Sequence, residues 1–331
     1  MIAVSVVIPT HSRLDILRET VARALQQNFA EGAFEVVVVD DHSADGSYEW
    51  LCEQARSEAR LRPVQSPRRG RAAARNAGIE VAGGELICFL DDDMWVGPGF
   101  LQAHWRAYQE NRPAPVVCVG RMRPWPGNAP TVANLAYDRR LAHIDDCMAQ
   151  YGDDLPCRYL CTGNVSLPRS LLQSGITFDE GFEGYSFEDT DLGYRLAEQG
   201  VRFRYLPEAR AEHRTETTVA ALLRKREEAG RSAVRLLRHH PGAAAHLEVP
   251  YAVAGVAGTA RHDCVGKGLA KTALFSRPCG WALEALLRVA CVMGAKRPAL
   301  RLLDWAGYTR YGRAYRQAAA ESAVPAGKRQ V

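Results

Sequence analysis

Short apolar runs and amphipathic stretches take turns along the first half of this chain. Ala3–Pro9 is almost wholly apolar, and Arg13–Gln27 then places Leu14, Leu17, Val21 and Leu25 at helical spacing. Phe34–Val39 is a largely β-branched run ending in Asp40-Asp41. Ser47–Arg60 reads as a helix, with Ser43, Asp45 and Ser47 offering caps. Leu61–Gln65 is a short strand, Arg71–Val81 a helix, Glu85–Leu90 a strand, Leu101–Glu110 a helix and Val116–Gly120 extended. Strands that are apolar throughout are buried on both faces, so the pattern predicts an α/β fold, Rossmann-like, with a mainly parallel sheet covered by helices on both sides. In such sheets ligands bind beyond the carboxyl ends of the strands. Pro9-Thr10, Asp40-Asp41 and Asp91–Asp93 all follow strands, so three separated segments are expected to meet in one crevice.

Beyond residue 120 the alternation loosens. Residues 121–157 carry Pro124, Pro126, Gly127 and Pro130 and then a helical stretch near Val132–Gln150, an excursion from the sheet. Tyr159–Leu167 returns as strand-like sequence, Glu188–Gln199 is a helix, Arg202–Leu206 a strand, and Ala209–His213 follows it. From Thr218 the pattern is helical: Val219–Arg238, Gly266–Leu274, Trp281–Met293 and Arg297–Ala306, the later helices short and broken by Gly and Pro. Two domains are expected, 1–215 and a mainly helical 216–331, with a disordered tail from Pro325.

Composition narrows the classes. At 331 residues, with 47% hydrophobic and 24% charged residues, the chain can bury a real core and is not globally disordered. Its longest apolar candidate, Cys279–Gly294, is interrupted by Glu284 and Arg288, so no transmembrane helix is expected. The start reads as a first strand rather than a signal peptide. Nine scattered cysteines without a Cys-x-x-Cys pair argue against zinc and disulfides and for a reducing, cytoplasmic setting. The net charge of +4 is uneven: residues 1–213 carry 22 basic and 30 acidic residues, and residues 214–331 carry 20 and 8. The basic third either faces an anionic partner, such as the inner face of a membrane, or is a solvated helical surface. Arg224-Lys225-Arg226, Arg231, Arg235 and Arg238 give one helix a basic face, for membrane attachment, packing on the catalytic domain or a homodimer. No nucleic-acid partner is expected.

The chemistry concentrates in carboxylates. Leu86–Leu90 exits into Asp91-Asp92-Asp93, and like charges that close repel unless a cation neutralises them. Hard oxygens at this density suit Mg²⁺ or Mn²⁺ on a phosphorylated substrate; the plainer reading is an acidic loop capping the next helix. Between Phe178 and Asp191 lie six more carboxylates, and Glu188 to Asp191 fall at a helix start, where the dipole stabilises negative charge. One of them is well placed as a general base for a hydroxyl. The alternative is N-capping and charge pairing with Arg195.

The ordered set Val6-Val7-Ile8-Pro9-Thr10, Val38-Val39-Asp40-Asp41, Ala74-Arg75-Asn76-Ala77-Gly78, Asp91-Asp92-Asp93, Thr162-Gly163-Asn164 and Glu188-Asp189-Thr190-Asp191 resembles the family 2 glycosyltransferases of GT-A fold over about residues 3–215. The resemblance implies an inverting, metal-dependent transferase that takes one sugar from a nucleotide-sugar donor, commonly a UDP-sugar, to a glycan, lipid-linked or small-molecule acceptor in cell-surface glycan or glycolipid assembly. It implies donor contacts from Pro9, Thr10, Asp40 and Asp41, with Asp41 at the base, and support from Asp92. Arg75 would either reach a phosphate or pair with an acidic strand end. Asp91 and Asp93 match the metal-binding DxD motif, and His213 matches a histidine that completes such sites. Asp189 matches the catalytic base, and Gly163, Asn164 and Glu188 line the donor-sugar or acceptor loop. His42 departs from the Gly or Asn usual at its position, and Arg71 from an apolar residue. The Gln-x-x-Arg-Trp motif of processive members is absent, so a single addition is expected. A sugar nucleotidyltransferase would carry a Gly-rich basic first loop, yet the first lysine is Lys225. A catalytically silent nucleotide-sugar-binding protein is the other alternative.

Overall fold

The computed structural model describes residues 2–185, 187–247 and 276–323. The helix expected at Gly266–Leu274 and the tail from Pro325 lie outside them. The elements run β1 (Ile2–Thr10), α1 (Leu14–Leu25), β2 (Ala33–Asp40), α2 (Ser47–Ala55), β3 (Leu61–Gln65), α3 (Arg71–Val81), β4 (Leu86–Leu90), β5 (Met94–Val96), α4 (Phe100–Asn111), β6 (Val116–Pro124) and α5 (Val132–Met148). After two short 3₁₀ turns come β7 (Asn164–Pro168), α6 (Arg169–Gln173), α7 (Glu188–Glu198), β8 (Arg202–His213) and α8 (Val219–His239). Later come α9 (Arg277–Val292) and α10 (Lys296–Ala323).

Eight strands form one sheet in the order β3-β2-β1-β4-β7-β6-β8-β5. The first four in this order are parallel, as are β6 and β8. β7, however, runs antiparallel to both β4 and β6, and β5 antiparallel to β8. The sheet is therefore mixed, with the parallel pairings in the majority and β7 and β5 as its antiparallel strands. The connection from β6 to β7 is a long excursion that carries α5, and a connection of that length can bring β7 back in either direction. β8 is one strand of 12 residues, not two pieces. Its register against β6 jumps from Gly120↔Leu206 to Arg121↔Arg210, and this bulge takes up Pro207, which has no N–H for the ladder. Val4, Val6–Ile8, Val36–Val39 and Leu86–Leu90 are all buried, with Leu17 and Val21 of α1 and Ala72 and Ala74 of α3 in the same core.

The chain divides into two compact units. One holds the sheet, with residues up to 129, 137–181 and 188–216; the other holds 130–136, 182–187 and everything from 217. The two short segments join the second unit through apolar packing. Val132 and Ala136 pack with Leu223, Leu287 and Leu303, and Tyr185 and Phe187 pack with Ala233 and Tyr311. In that unit α8 buries Leu223, Ala229, Ala233 and Leu236. α10 is one helix of 28 residues rather than a short broken one. Pro298 falls in its first turn, where no N–H is needed, and Gly307 packs against the Arg226 stem. No helix among the described residues is long and apolar enough to cross a membrane.

Candidate active site

Sheet register alone assembles the strand-end carboxylates. Thr10 pairs with Asp40 across β1 and β2, while Val7 pairs with Phe89 across β1 and β4, so Pro9-Thr10, Asp40-Asp41 and Asp91–Asp93 emerge side by side. Pro9 is the partly exposed next-to-last residue of β1. Asp40 accepts from the Ser43 N–H at 3.1 Å and Asp41 from the Gly70 N–H at 3.0 Å. The other oxygen of each, Oδ1, is buried without a partner among the described residues. A buried carboxylate oxygen in that state wants a donor, and a nucleoside offers several.

Arg13, which the resemblance did not single out, is the cation of the acidic cluster. One of its nitrogens lies 2.7 Å from Asp92 Oδ1 and 2.8 Å from Asp93 Oδ2. Thr10 donates its hydroxyl to Asp92 Oδ2 at 2.8 Å, so both Thr10 and Asp92 are spent on holding the strand ends together. Burial pushes the Asp92 carboxyl up to about 6, and Asp93 and Asp91 add to the rise, while Arg13 and Thr10 pull against it. The repulsion expected within this triplet is thus present and partly neutralised.

A second buried cation links the cluster to α7. Arg75, on α3 and almost fully buried, donates to Asp91 Oδ1 at 3.1 Å and to Glu188 Oε1 at 2.8 Å. Burial opposes its charge, but Asp91 and Glu188 more than compensate and hold the guanidinium above its ordinary value. Of the two roles open to Arg75, the structure shows the pairing with acidic groups. Its neighbour Asn76 clamps Phe178 through both backbone groups at 3.0 Å. Glu188 is buried, and Asp189 follows it at the first turn of α7, accepting from the Thr190 N–H at 2.7 Å. Burial raises the Asp189 carboxyl to about 7, Glu188 adds to the rise and Arg75 offsets it. A carboxylate so shifted is a stronger base, poised near neutrality.

His213 arrives through β8. Met94 pairs with His213 across β5 and β8, which sets the imidazole beside Asp93, with Nε2 3.4 Å from Oδ2. Its Nδ1 lies 2.9 Å from Thr215 Oγ1, and that hydroxyl donates to Asp138 at 2.7 Å. The hydroxyl proton being committed, Nδ1 carries a hydrogen, and in the neutral ring the Nε2 lone pair then faces a carboxylate. Two acceptors face to face call for a cation between them, and carboxylate oxygens with a neutral imidazole suit Mn²⁺ or Mg²⁺. Asp91, at the same strand end, gives its Oδ1 to Arg75. Gly163 backs onto it, since a Cβ there would lie 3.3 Å from Asp91 Oδ2.

Asn164 is not turned to a ligand. Its Oδ1 accepts from His104 Nε2 at 2.9 Å, and its amide donates to the carbonyls of Arg121 and Ala209. His104, fully buried on α4, also meets Ser166 Oγ at 2.8 Å and is the second residue the sequence reading missed. The non-glycine residues with positive φ among those described are Ser12 at +50°, His42 at +55° and Phe187 at +79°. They adjoin Arg13, Asp41 and Glu188, so local backbone strain is confined to the crevice loops. His42 thereby explains its own oddity, for Gly and Asn are the residues that hold this backbone most readily.

The fold is that of the GT-A glycosyltransferases. It matches the mannosyltransferase PcManGT from Pyrobaculum calidifontis in complex with GDP-Man and Mn²⁺, with a TM-score of 0.62 at 18% identity over 97% of this chain and 88% of that one. It also matches S. aureus TarS 1–349 in complex with UDP-GlcNAc, with a TM-score of 0.52 at 20% identity over 96% and 92%. Residues 5–172 match the family model for glycosyl transferase family 2, and the chain belongs to that family. Validoxylamine A glucosyltransferase of Streptomyces hygroscopicus subsp. jinggangensis is 30% identical over 267 residues, 72% of this chain and 61% of that protein. Chondroitin synthase of Pasteurella multocida is 28% identical over 239 residues, 64% of this chain and 25% of that protein. The chain thus spans about three-fifths of the length of the first relative and a quarter of the second.

Proposed function

We propose that this chain is a metal-dependent inverting glycosyltransferase that moves one sugar from a nucleoside diphosphate sugar, a UDP-sugar by preference, to an acceptor hydroxyl in glycan or glycolipid assembly. The Arg75 bridge carries the reading: one buried cation ties Asp91, at the strand end, to Glu188, the residue before the base Asp189. The names of the relatives, a glucosyltransferase and a chondroitin synthase, support the reaction class, and the neighbours' GDP-Man and UDP-GlcNAc support the donor class.

In this reading the Asp41 Oδ1 takes a base N–H or a ribose hydroxyl, with Asp40 bracing the turn. Asp91, Asp93 and His213 would hold Mn²⁺ or Mg²⁺, and the ion, when bound, neutralises the diphosphate and stabilises the leaving group's charge. Arg13 adds a fixed positive charge at the same strand ends. Asp189 accepts the proton of the acceptor hydroxyl as that oxygen bonds to the anomeric carbon and the carbon–oxygen bond to the diphosphate breaks. Attack from the face opposite the leaving group inverts the centre. Gly163, without a side chain, lets its loop close onto Met94 and Asp91.

Release of nucleoside diphosphate from UDP-, GDP- and dTDP-sugars tests this. Release should stop on chelation and fall about a thousandfold in Asp189→Asn. Metal-dependent donor binding without any turnover would overturn it and leave a nucleotide-sugar-binding protein.

A further inference from the structure

Most of the large apolar side chains exposed to water among the described residues belong to two consecutive helices. Among the described residues they are Tyr151 and then Trp281, Leu286, Val289, Val292, Met293 and Trp305, the last six all on α9, its C-cap or α10. Val292 is 89% exposed and Met293 75%. At about 100° per residue, Trp281, Ala285, Leu286, Val289, Val292 and Met293 fall on one continuous side of α9. The opposite side, with Leu287 and Ala290, is buried in the core of the second unit. α9 is therefore apolar on both sides, although among the described residues only one side has protein to pack against. Helices of that kind sit in a large core or against lipid.

The charges around this face choose the occupant. Glu284, the one acidic residue of α9, is spent on Arg310 at 2.8 and 2.9 Å. Arg288 flanks the apolar side, and Lys296, Arg297 and Arg301 follow immediately, all four exposed. Residues 276–323 carry 8 basic and 3 acidic residues, so a second copy laid face to face would set cations against cations. An anionic bilayer supplies what both halves need, acyl chains for the apolar side and phosphates for the cations. Trp281 and Trp305 add rings of the amphipathic type that settle at headgroup depth. On the basic helix α8, Arg231 pairs with Glu227 along the surface, while Lys225 lies over Tyr185 and Arg235 over Phe182.

We propose that α9 is a membrane-surface helix, its Trp281–Met293 side entering the headgroup boundary of an anionic bilayer while Arg288, Lys296 and Arg297 hold lipid phosphates. The helix lies along the surface; at 16 residues it is too short to span.

Flotation of the full chain with vesicles tests this, without donor or metal. The chain should float with phosphatidylcholine vesicles containing phosphatidylglycerol and stay behind with phosphatidylcholine alone. Val292→Asp with Met293→Asp should weaken flotation about tenfold or more, and Lys296→Glu with Arg297→Glu should do the same and erase the preference for phosphatidylglycerol. All four positions are exposed, so circular dichroism should be unchanged, and nucleoside diphosphate release to a water-soluble acceptor should be kept. A wild-type chain that floats with neither vesicle, or variants that float equally well, would overturn the proposal. So would a lipid-free dimer in sedimentation velocity that Val292→Asp abolishes, which would give the face to a second copy. Because flotation reads no chemistry, its failure is separable from failure of the transferase reading.

Discussion

Asp189 holds its proton to about pH 7 because burial and Glu188 both resist its charge. For folding, the consequence has a definite sign. The native state binds the proton between the ordinary carboxylate value of 3.8 and about 7, so the contribution is present below that window and lost as pH rises through it. Above about pH 7 the buried charge is a liability that Asn does not share. Asp189→Asn should therefore melt at a higher temperature than wild type above about pH 7, with the difference vanishing below about pH 4, while turnover is lost. Thermal unfolding across that range checks it. A base that costs stability where it works is the trade expected of a catalytic carboxylate, whereas a capping Asp would stabilise the helix when charged.

Between α4 and β7 the contact rests on His104, clasped by Ser166 and Asn164. Burial lowers its pKa from 6.5 to about 4, so it is neutral in the native state and takes a proton more readily in the unfolded chain. Its contribution is present above about pH 6.5 and is lost as pH falls toward about 4; denaturant titrations should show this loss in wild type and a flatter profile in His104→Ala. That variant should also lose about 3 kcal/mol, since it leaves the Asn164 and Ser166 oxygens buried without a partner. Most elements on this side of the molecule were legible in the sequence; Arg71–Val81 and Leu61–Gln65 match to the residue, because caps, turns and apolar spacing are local. The direction of β7 was not, since alternation predicts crossovers and β7 follows an excursion instead. Nor was the Arg13 pairing, 79 and 80 residues from its partners in sequence. His104, lying among Phe100, Leu101 and Trp105, carried a usable signal: a buried imidazole must find partners somewhere.

Seen whole, the chain joins an acidic sheet unit to a basic helical one, each with its own apolar core. In the second unit α9 shows how sharply two sides of one helix differ. Leu287→Ala should cost about 3 kcal/mol because that side chain is buried among Leu223 and Leu303. Leu286→Ala, one residue away and 55% exposed, should change stability by less than about 0.5 kcal/mol. Denaturant unfolding of the pair checks the assignment of faces. A large loss in both would mean that the outer side is packed.

Gly120 is packed together with Asn164 and His104. A Cβ there would fall 2.3 Å from Asn164 Oδ1, so the Asn164 side chain fits only over a residue without one. Positions 104, 120 and 164 therefore cannot drift independently. Gly120→Ala should be deleterious in the wild-type background, and much of its cost should disappear once Asn164 has been shortened to Ala, a non-additivity that a double-mutant cycle measures. Chains selected for folding from a library randomised at these three sites should carry linked replacements, one genetic unit hidden beneath the loop at residues 162–164.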